Sequence, residues 1–351
     1  MKRIKHSLLA IAVGASLISP LSHARTDFNV CWSIYVGWMP WGYAEEQGIL
    51  EKWADKYDIN INIVQINDYI ESINQYTLGQ FDACSMTNMD ALTIPAAGGV
   101  DSTALIVGDF SNGNDGVILK GQDQLEAIRG QRVNLVELSV SHYLLARALE
   151  SVDMTERDIR VVNTSDADLV AVANTPSVTA ITTWNPLLNE ILAQPDMHLV
   201  FDSSNIPGEI IDLLVVNTQT LEAHPELGKA LVGAWYETMS HMMTGSEYEV
   251  LARTQMAEAS GTDLAGYELQ LASTEMFYLA EDALNFTLSD QLPNTMNKVA
   301  EFSFEHGLLG DGAPDAGFIG IETPAGVVGD ADNIMLRFNP AFMQLAADGE
   351  L

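Results

Sequence analysis

The chain alternates between short apolar runs and helical segments, and that rhythm restricts its fold more than any other feature. "FNVCWSIYV", "ININIVQI", "FDACSM" and "STALIVGD" read as strands, with helices expected over 43–57, 69–79 and 88–97 between them. Near-continuous apolar strands separated by helices imply β/α units covered on both faces. The turn-rich "FSNGNDG" at 110–116 interrupts the pattern. A second set follows: "GVILK", "RVNLVEL", "DIRVVN", "VTAITTW" and "MHLVFD", with helices over 139–151, 166–174 and 186–193. After "IPGEI" comes the strand "IDLLVVN", and from 219 the chain reads as mostly helical, over 219–243, 246–259, 263–270, 274–286 and 292–307. The expected architecture is α/β with two lobes, each a mainly parallel sheet flanked by helices, plus a helical C-terminal part. Lobe 1 takes 25–110 and 212–351, lobe 2 takes 111–211, and the chain crosses between them near 109–116 and 205–213.

Residues 1–24 stand apart. Lys2, Arg3 and Lys5 precede an apolar run from Leu8 to Ile18, and Ser22-His23-Ala24 offers small residues for cleavage. This is the pattern of a secretory signal peptide, and it drops out of fold reasoning. The apolar run is too short to span a bilayer. An exported, periplasmic protein is expected. The charge is extreme, with 48 acidic against 16 basic residues and a formal net charge of −32. Such a surface repels nucleic acid and anionic membranes. Most of these carboxylates are read as solvated surface. A hydrophobic content of 47% excludes disorder.

Motifs that carry chemistry are missing. No phosphate-binding or dinucleotide-binding glycine loop follows a strand, and there is no HExxH. His142, His198, His224, His241 and His306 are scattered without metal-ligand spacing. Ser139 and Ser141 beside His142 lack a nucleophile elbow and read as helix caps. No catalytic set, cofactor or metal is nominated. The two cysteines, Cys31 and Cys84, fall in strand-like runs. Neighbouring strands often place cysteines in poor geometry for a bridge, so two small buried thiols are expected, with a disulfide as the lesser alternative.

Five segments, in order, carry a resemblance. They are "YVGWMPWGYAEEQGILEKW", "LGQFDACSMTNMDAL", "IRGQRVNLVELSVSHYLLARAL", "TAITTWNPLLNEIL" and "IDLLVVN". Together they make the chain similar to the periplasmic substrate-binding proteins of nitrate/sulfonate/taurine-type ABC transporters. The "WMPW" variant resembles the urea-carboxylase-associated subgroup, linked with urea or guanidine uptake. The resemblance covers most of 28–245. It implies a type II-like two-lobe periplasmic binding protein fold, a ligand held in the inter-lobe cleft, closure about a hinge, and docking on a membrane permease. It implies neither catalysis nor a cofactor, and a monomer is expected.

In such lobes, ligands sit beyond the carboxyl ends of the strands. Those ends carry Trp38 and Trp41, then Asn67-Asp68, Thr87-Asn88, Asp109, Glu137 and Trp184-Asn185, while the return crossing passes Glu209 and Asp212. None of these positions is Lys or Arg. A carboxylate facing an anion in a closed cleft costs several kcal/mol, on the order of the penalty for an unpaired buried charge. A small flat cation suits the set better: indole faces attract cations and carboxylates supply countercharge. Guanidinium is expected first and urea second. An anion, a neutral pyrimidine or an enzyme of this fold are the alternatives. The candidate ligand-binding residues are Trp38, Trp41, Asp68, Asn88, Asp109, Glu137, Trp184 and Asp212. Plainer roles compete for several. One of the two tryptophans on either side of Pro40 packs inside the lobe, Asp68 caps the following helix, and Asp109 belongs to the hinge. Glu137 is the leading charged candidate.

Overall fold

The computed structural model describes residues 26–351, so the expected signal peptide at 1–24 lies outside the described residues. The strands, in chain order, are β1 (Thr26–Trp32), β2 (Ile59–Gln65), β3 (Ala83–Thr87), β4 (Ser102–Ser111), β5 (Asp115–Lys120), β6 (Arg132–Leu135), β7 (Arg160–Asn163), β8 (Ala180–Trp184), β9 (Met197–Asp202), β10 (Ile211–Asn217), β11 (Thr274–Met276), β12 (Gly320–Thr323), β13 (Gly326–Val328) and β14 (Ile334–Phe338). They form two sheets. The larger has the order β13-β12-β14-β4-β10-β3-β1-β2, with β11 against β4, and the smaller has the order β7-β6-β8-β5-β9. β3 is buried at every position and β10 at all but its last, as a strand covered on both faces requires.

The sheets are more mixed than the alternation of strands and helices implies. β1 runs parallel to β2 and β3, but β10 is antiparallel to β3 and β4. β5 is likewise antiparallel to β8 and β9. The cause is the double crossing. β4 leaves the first sheet at the cleft and β10 returns from the cleft, so the two must run in opposite senses. The same holds for β5, which enters the second sheet from the cleft.

Local chemistry sets the element ends. Asp68 accepts the Glu71 N–H and starts the helix Tyr69–Thr77, and Ser139 accepts the Ser141 N–H at the start of Val140–Glu150. The helix expected over 43–57 is two helices, Met39–Glu46 and Ile49–Lys56, because Gly48 between them adopts φ +68°. The start of the helix expected over 274–286 is the strand β11, which pairs with the far end of β4. The glycine-rich C-terminal turns also hold strands, since β14 pairs with Ser102–Ala104 of β4 and covers an edge that would otherwise be open. Among the described residues no helix is long and apolar enough to cross a membrane.

One expectation is overturned. Cys31 and Cys84 form a disulfide. They are direct register partners on the parallel pair β1–β3, with their Cα atoms 4.4 Å apart, so both side chains rise from one face at bonding distance. The bridge closes a loop that includes β2 and the helix Tyr69–Thr77. Replacing both cysteines by alanine should lower stability by about 2–4 kcal/mol, chiefly through the released chain entropy of the unfolded state. A urea titration reads this as a lower midpoint, and an unchanged midpoint would contradict the bridge.

Candidate functional site

The two sheets meet at a small cavity of about 20 Å³. Tyr35, Trp38, Tyr69 and Asp212 contribute from the larger sheet's side, and Asp115 and Trp184 from the smaller. Ser33, Thr87, Val140 and Ile210 complete the lining, and none of the lining residues is Lys, Arg or His.

Strand register builds the acidic side. Asp212, the second residue of β10, stands opposite Asp109 of β4 on one side and Thr87 of β3 on the other. Asp115 opens β5 and stands opposite Trp184, the last residue of β8. The carboxyls thus come from the two strands that carry the chain through the cleft. Asp109 lies one layer behind the cavity wall, where its Oδ1 accepts the Tyr35 hydroxyl at 3.0 Å. Gly37 allows this approach, since a Cβ there would fall 2.3 Å from Asp109 Oδ2. Asp115 accepts the Ser111 hydroxyl at 2.6 Å.

The aromatic side is tied together by ring contacts. Trp38 meets Tyr35 with ring centres 4.9 Å apart and Tyr69 with centres 5.6 Å apart, and Tyr69 meets Trp184 edge-on at 5.9 Å. Tyr69 is fixed in turn. Its hydroxyl donates to Asp90 at 2.6 Å and accepts the Thr87 N–H at 3.0 Å. The Tyr69–Trp184 contact joins the lobes across the cavity.

Burial dominates the electrostatics. It pushes Asp109 and Asp115 up to about 7 and Asp90 up to about 6. Asp212 is raised further by burial and then by the Asp109 charge beside it. Asp212 and Asp109 face each other across the β4–β10 pair, so ionisation of one opposes ionisation of the other. Ser33 Oγ and Trp38 Nε1 are buried at the cavity without a partner within the protein.

The fold has solved counterparts. The alkanesulfonate-binding protein SsuA of Xanthomonas axonopodis, solved with MOPS, superposes with a TM-score of 0.66 at 16% identity, over 81% of this chain and 94% of that one. The aliphatic sulphonate-binding protein SsuA of Escherichia coli gives 0.67 at 16% identity, over 86% and 96%. The nitrate-binding protein NrtA of Synechocystis gives 0.65 at 11% identity, over 93% and 89%. The chain has the periplasmic binding protein fold. In sequence it is 22% identical over 191 residues to the taurine-binding periplasmic protein of Escherichia coli, a match covering 54% of this chain and 56% of that relative's length. No protein-family model matches the chain.

Within this fold the candidates fall into three groups. Trp38, Trp184 and Asp212 line the cavity, and Asp109 backs it through Tyr35 and Asp212. Trp41 is fully buried behind the site against Trp235, with ring centres 5.0 Å apart, so it is the packing member of the tryptophan pair. Asn88 is also buried away from the cavity, where it ties down the return crossing. Its Nδ2 donates to the Glu209 carbonyl and its Oδ1 accepts the Ile211 N–H, each at 3.1 Å. Asp68 is an exposed helix cap. Glu137 is exposed and outside the cavity. β6 ends at Leu135, two residues before Glu137, and Leu138 follows in a turn at φ +67°. Asp115, Tyr35 and Tyr69 were not singled out from the sequence. Asp115 sits at the end of "FSNGNDG", where the turn signal hid the first residue of a strand.

These shifts fix a sign for stability against pH. Asp109 and Asp115 titrate near 3.8 when free and at about 7 when folded, so between those values the folded state binds more protons. Stability must then fall as pH rises through that window. The ligand-free protein should be more stable at pH 5 than at pH 8 by on the order of a few kcal/mol, read from urea midpoints. Asp115→Asn should flatten that difference, and a steeper loss would contradict the assignment.

Proposed function

We propose that the protein is the periplasmic solute-binding component of an ABC importer and that its cleft captures a small planar nitrogen compound, the cation guanidinium first and neutral urea next. The observation that supports this reading is the composition of the cavity wall: Trp38, Tyr69 and Trp184 beside Asp115 and Asp212, with no basic side chain. A desolvated cation against an aromatic face gains about 0.5–2 kcal/mol per ring, and a carboxylate offers a flat guanidinium paired N–H acceptors. A ligand touching Trp38 and Asp212 on one lobe and Trp184 and Asp115 on the other favours the closed form over the open one. That closed form would dock on a membrane permease. The protein would act as a monomer, and no catalytic step is invoked.

A second reading has its own support. The relatives are named for taurine, sulfonates and nitrate, and Val140, the first residue of an 11-residue helix, lines the cavity. A helix N-terminus favours an anion. Here Ser139 already accepts the Ser141 N–H, and Asp115 and Asp212 line the same cavity, so an anion would meet two acidic groups.

A thermal-shift series with guanidinium, urea, methylguanidine, taurine, nitrate and pyrimidines separates the readings. Guanidinium should raise the melting temperature most, and Trp184→Ala or Asp115→Asn should abolish the rise. Glu137→Gln should leave it intact. Stabilisation by nitrate or taurine alone would refute the cation assignment.

A further inference from the structure

The inference rests on the cation reading and concerns how the same site selects charge. We propose that the Asp109–Asp212 pair holds one shared proton in the ligand-free protein, and that a bound cation replaces that proton. The two residues are direct partners on the antiparallel pair β4–β10, and both are buried. The groups around them are few. Tyr35, in the segment after β1, donates its hydroxyl to Asp109 Oδ1, and Asp109 Oδ2 meets no ordinary donor. Thr87 of β3 stands opposite Asp212, and Asp115 of β5 adds a third carboxyl whose charge reaches the pair. On the far side Tyr267 and Tyr278 feel the Asp109 charge, with Arg253 acting on those tyrosines. Asp90 acts on Asp115. Two adjacent buried carboxyls served by a single neutral hydroxyl cannot both ionise, and they titrate as a pair.

The exchange balances. A cation brings one positive charge into the cavity while the shared proton leaves to water, so the pair goes from one negative charge to two. The total charge of site plus ligand is unchanged, and no net charge is moved into the low-dielectric cleft. Neutral urea cannot take the proton's place and would bind without releasing it. An anion would need an extra proton to enter with it. The dyad thus separates guanidinium from urea, two ligands alike in shape, by proton count.

Two measurements test this. Infrared spectra of the ligand-free protein at about pH 8, above the Asp90 and Asp115 values of about 6 and 7, should show the carbonyl band of a protonated carboxylic acid, lost in Asp212→Asn. Titration calorimetry with guanidinium chloride, in two buffers of different protonation enthalpy, should show close to one proton released per ligand. Affinity should then tighten about tenfold per pH unit above about pH 7, where Asp109 has ionised and the pair holds a single proton. In Asp212→Asn the amide N–H stands in for the shared proton and keeps Asp109 ionised. That variant should bind more weakly, release no proton and show affinity independent of pH. Binding without proton release in the unaltered protein, release in Asp212→Asn equal to the unaltered protein's, or absence of the acid band each overturns the proposal. An acid band with no guanidinium binding at all overturns the cation reading, and with it the exchange, while leaving the shared proton in place.

Discussion

The structure turns on the pairing of β10 with β4 at the cleft, which sets Asp212 against Asp109 in an interior that admits no compensating Lys, Arg or His at the cavity wall. Buried carboxyls without a cationic partner are costly. The surrounding chain is arranged to limit that cost. Tyr35 donates to Asp109, and Gly37 brings the loop against it. On the cation reading, such a pair at the junction of the lobes supplies the countercharge. Polar groups of this kind are rarely left half-satisfied unless the site has a use for them.

The aromatic wall depends on the same junction. Trp38 leads the helix Met39–Glu46 and packs on Tyr69, which Asp90 and Thr87 hold in place. Trp184 reaches it from the second sheet because β8 ends opposite the start of β5. A second set of contacts joins the same two parts of the chain away from the cavity. Glu209 accepts from Tyr143, Arg147 and Lys298, and Glu156 lies between His142 and His306. His306 follows the helix Gln291–Glu305, whereas His142 lies on Val140–Glu150. The relation between the sheets is therefore held on both sides of the return crossing.

Most of the fold was legible because the strands are buried on both faces, and apolar continuity marks such strands plainly, as in "IDLLVVN" and "STALIVGD". Two features were not. Strands β11 to β14 are short pieces that complete sheet edges, and their pairing is a tertiary fact that no local pattern records. The disulfide depends on Cys31 and Cys84 falling at the same level of two neighbouring strands, and register cannot be read from either strand alone. Among the cavity-lining residues, Trp38 and Trp184 were selected because carboxyl strand ends face the cleft in this architecture, and Asp212 because it lies on the return crossing. The same rule missed Asp115, which begins its strand and reaches the cleft because β5 runs antiparallel to its neighbours. It also selected Glu137, which is exposed and outside the cavity lining, because β6 stops two residues before it.

The most direct check of the cleft's charge preference is a crystal structure of the protein grown with guanidinium and taurine together. The account predicts a flat guanidinium between Trp38 and Trp184, with its N–H groups on Asp115 and Asp212. A sulfonate group seated at the N-terminus of the helix Val140–Glu150, with no guanidinium in the cavity, would contradict it.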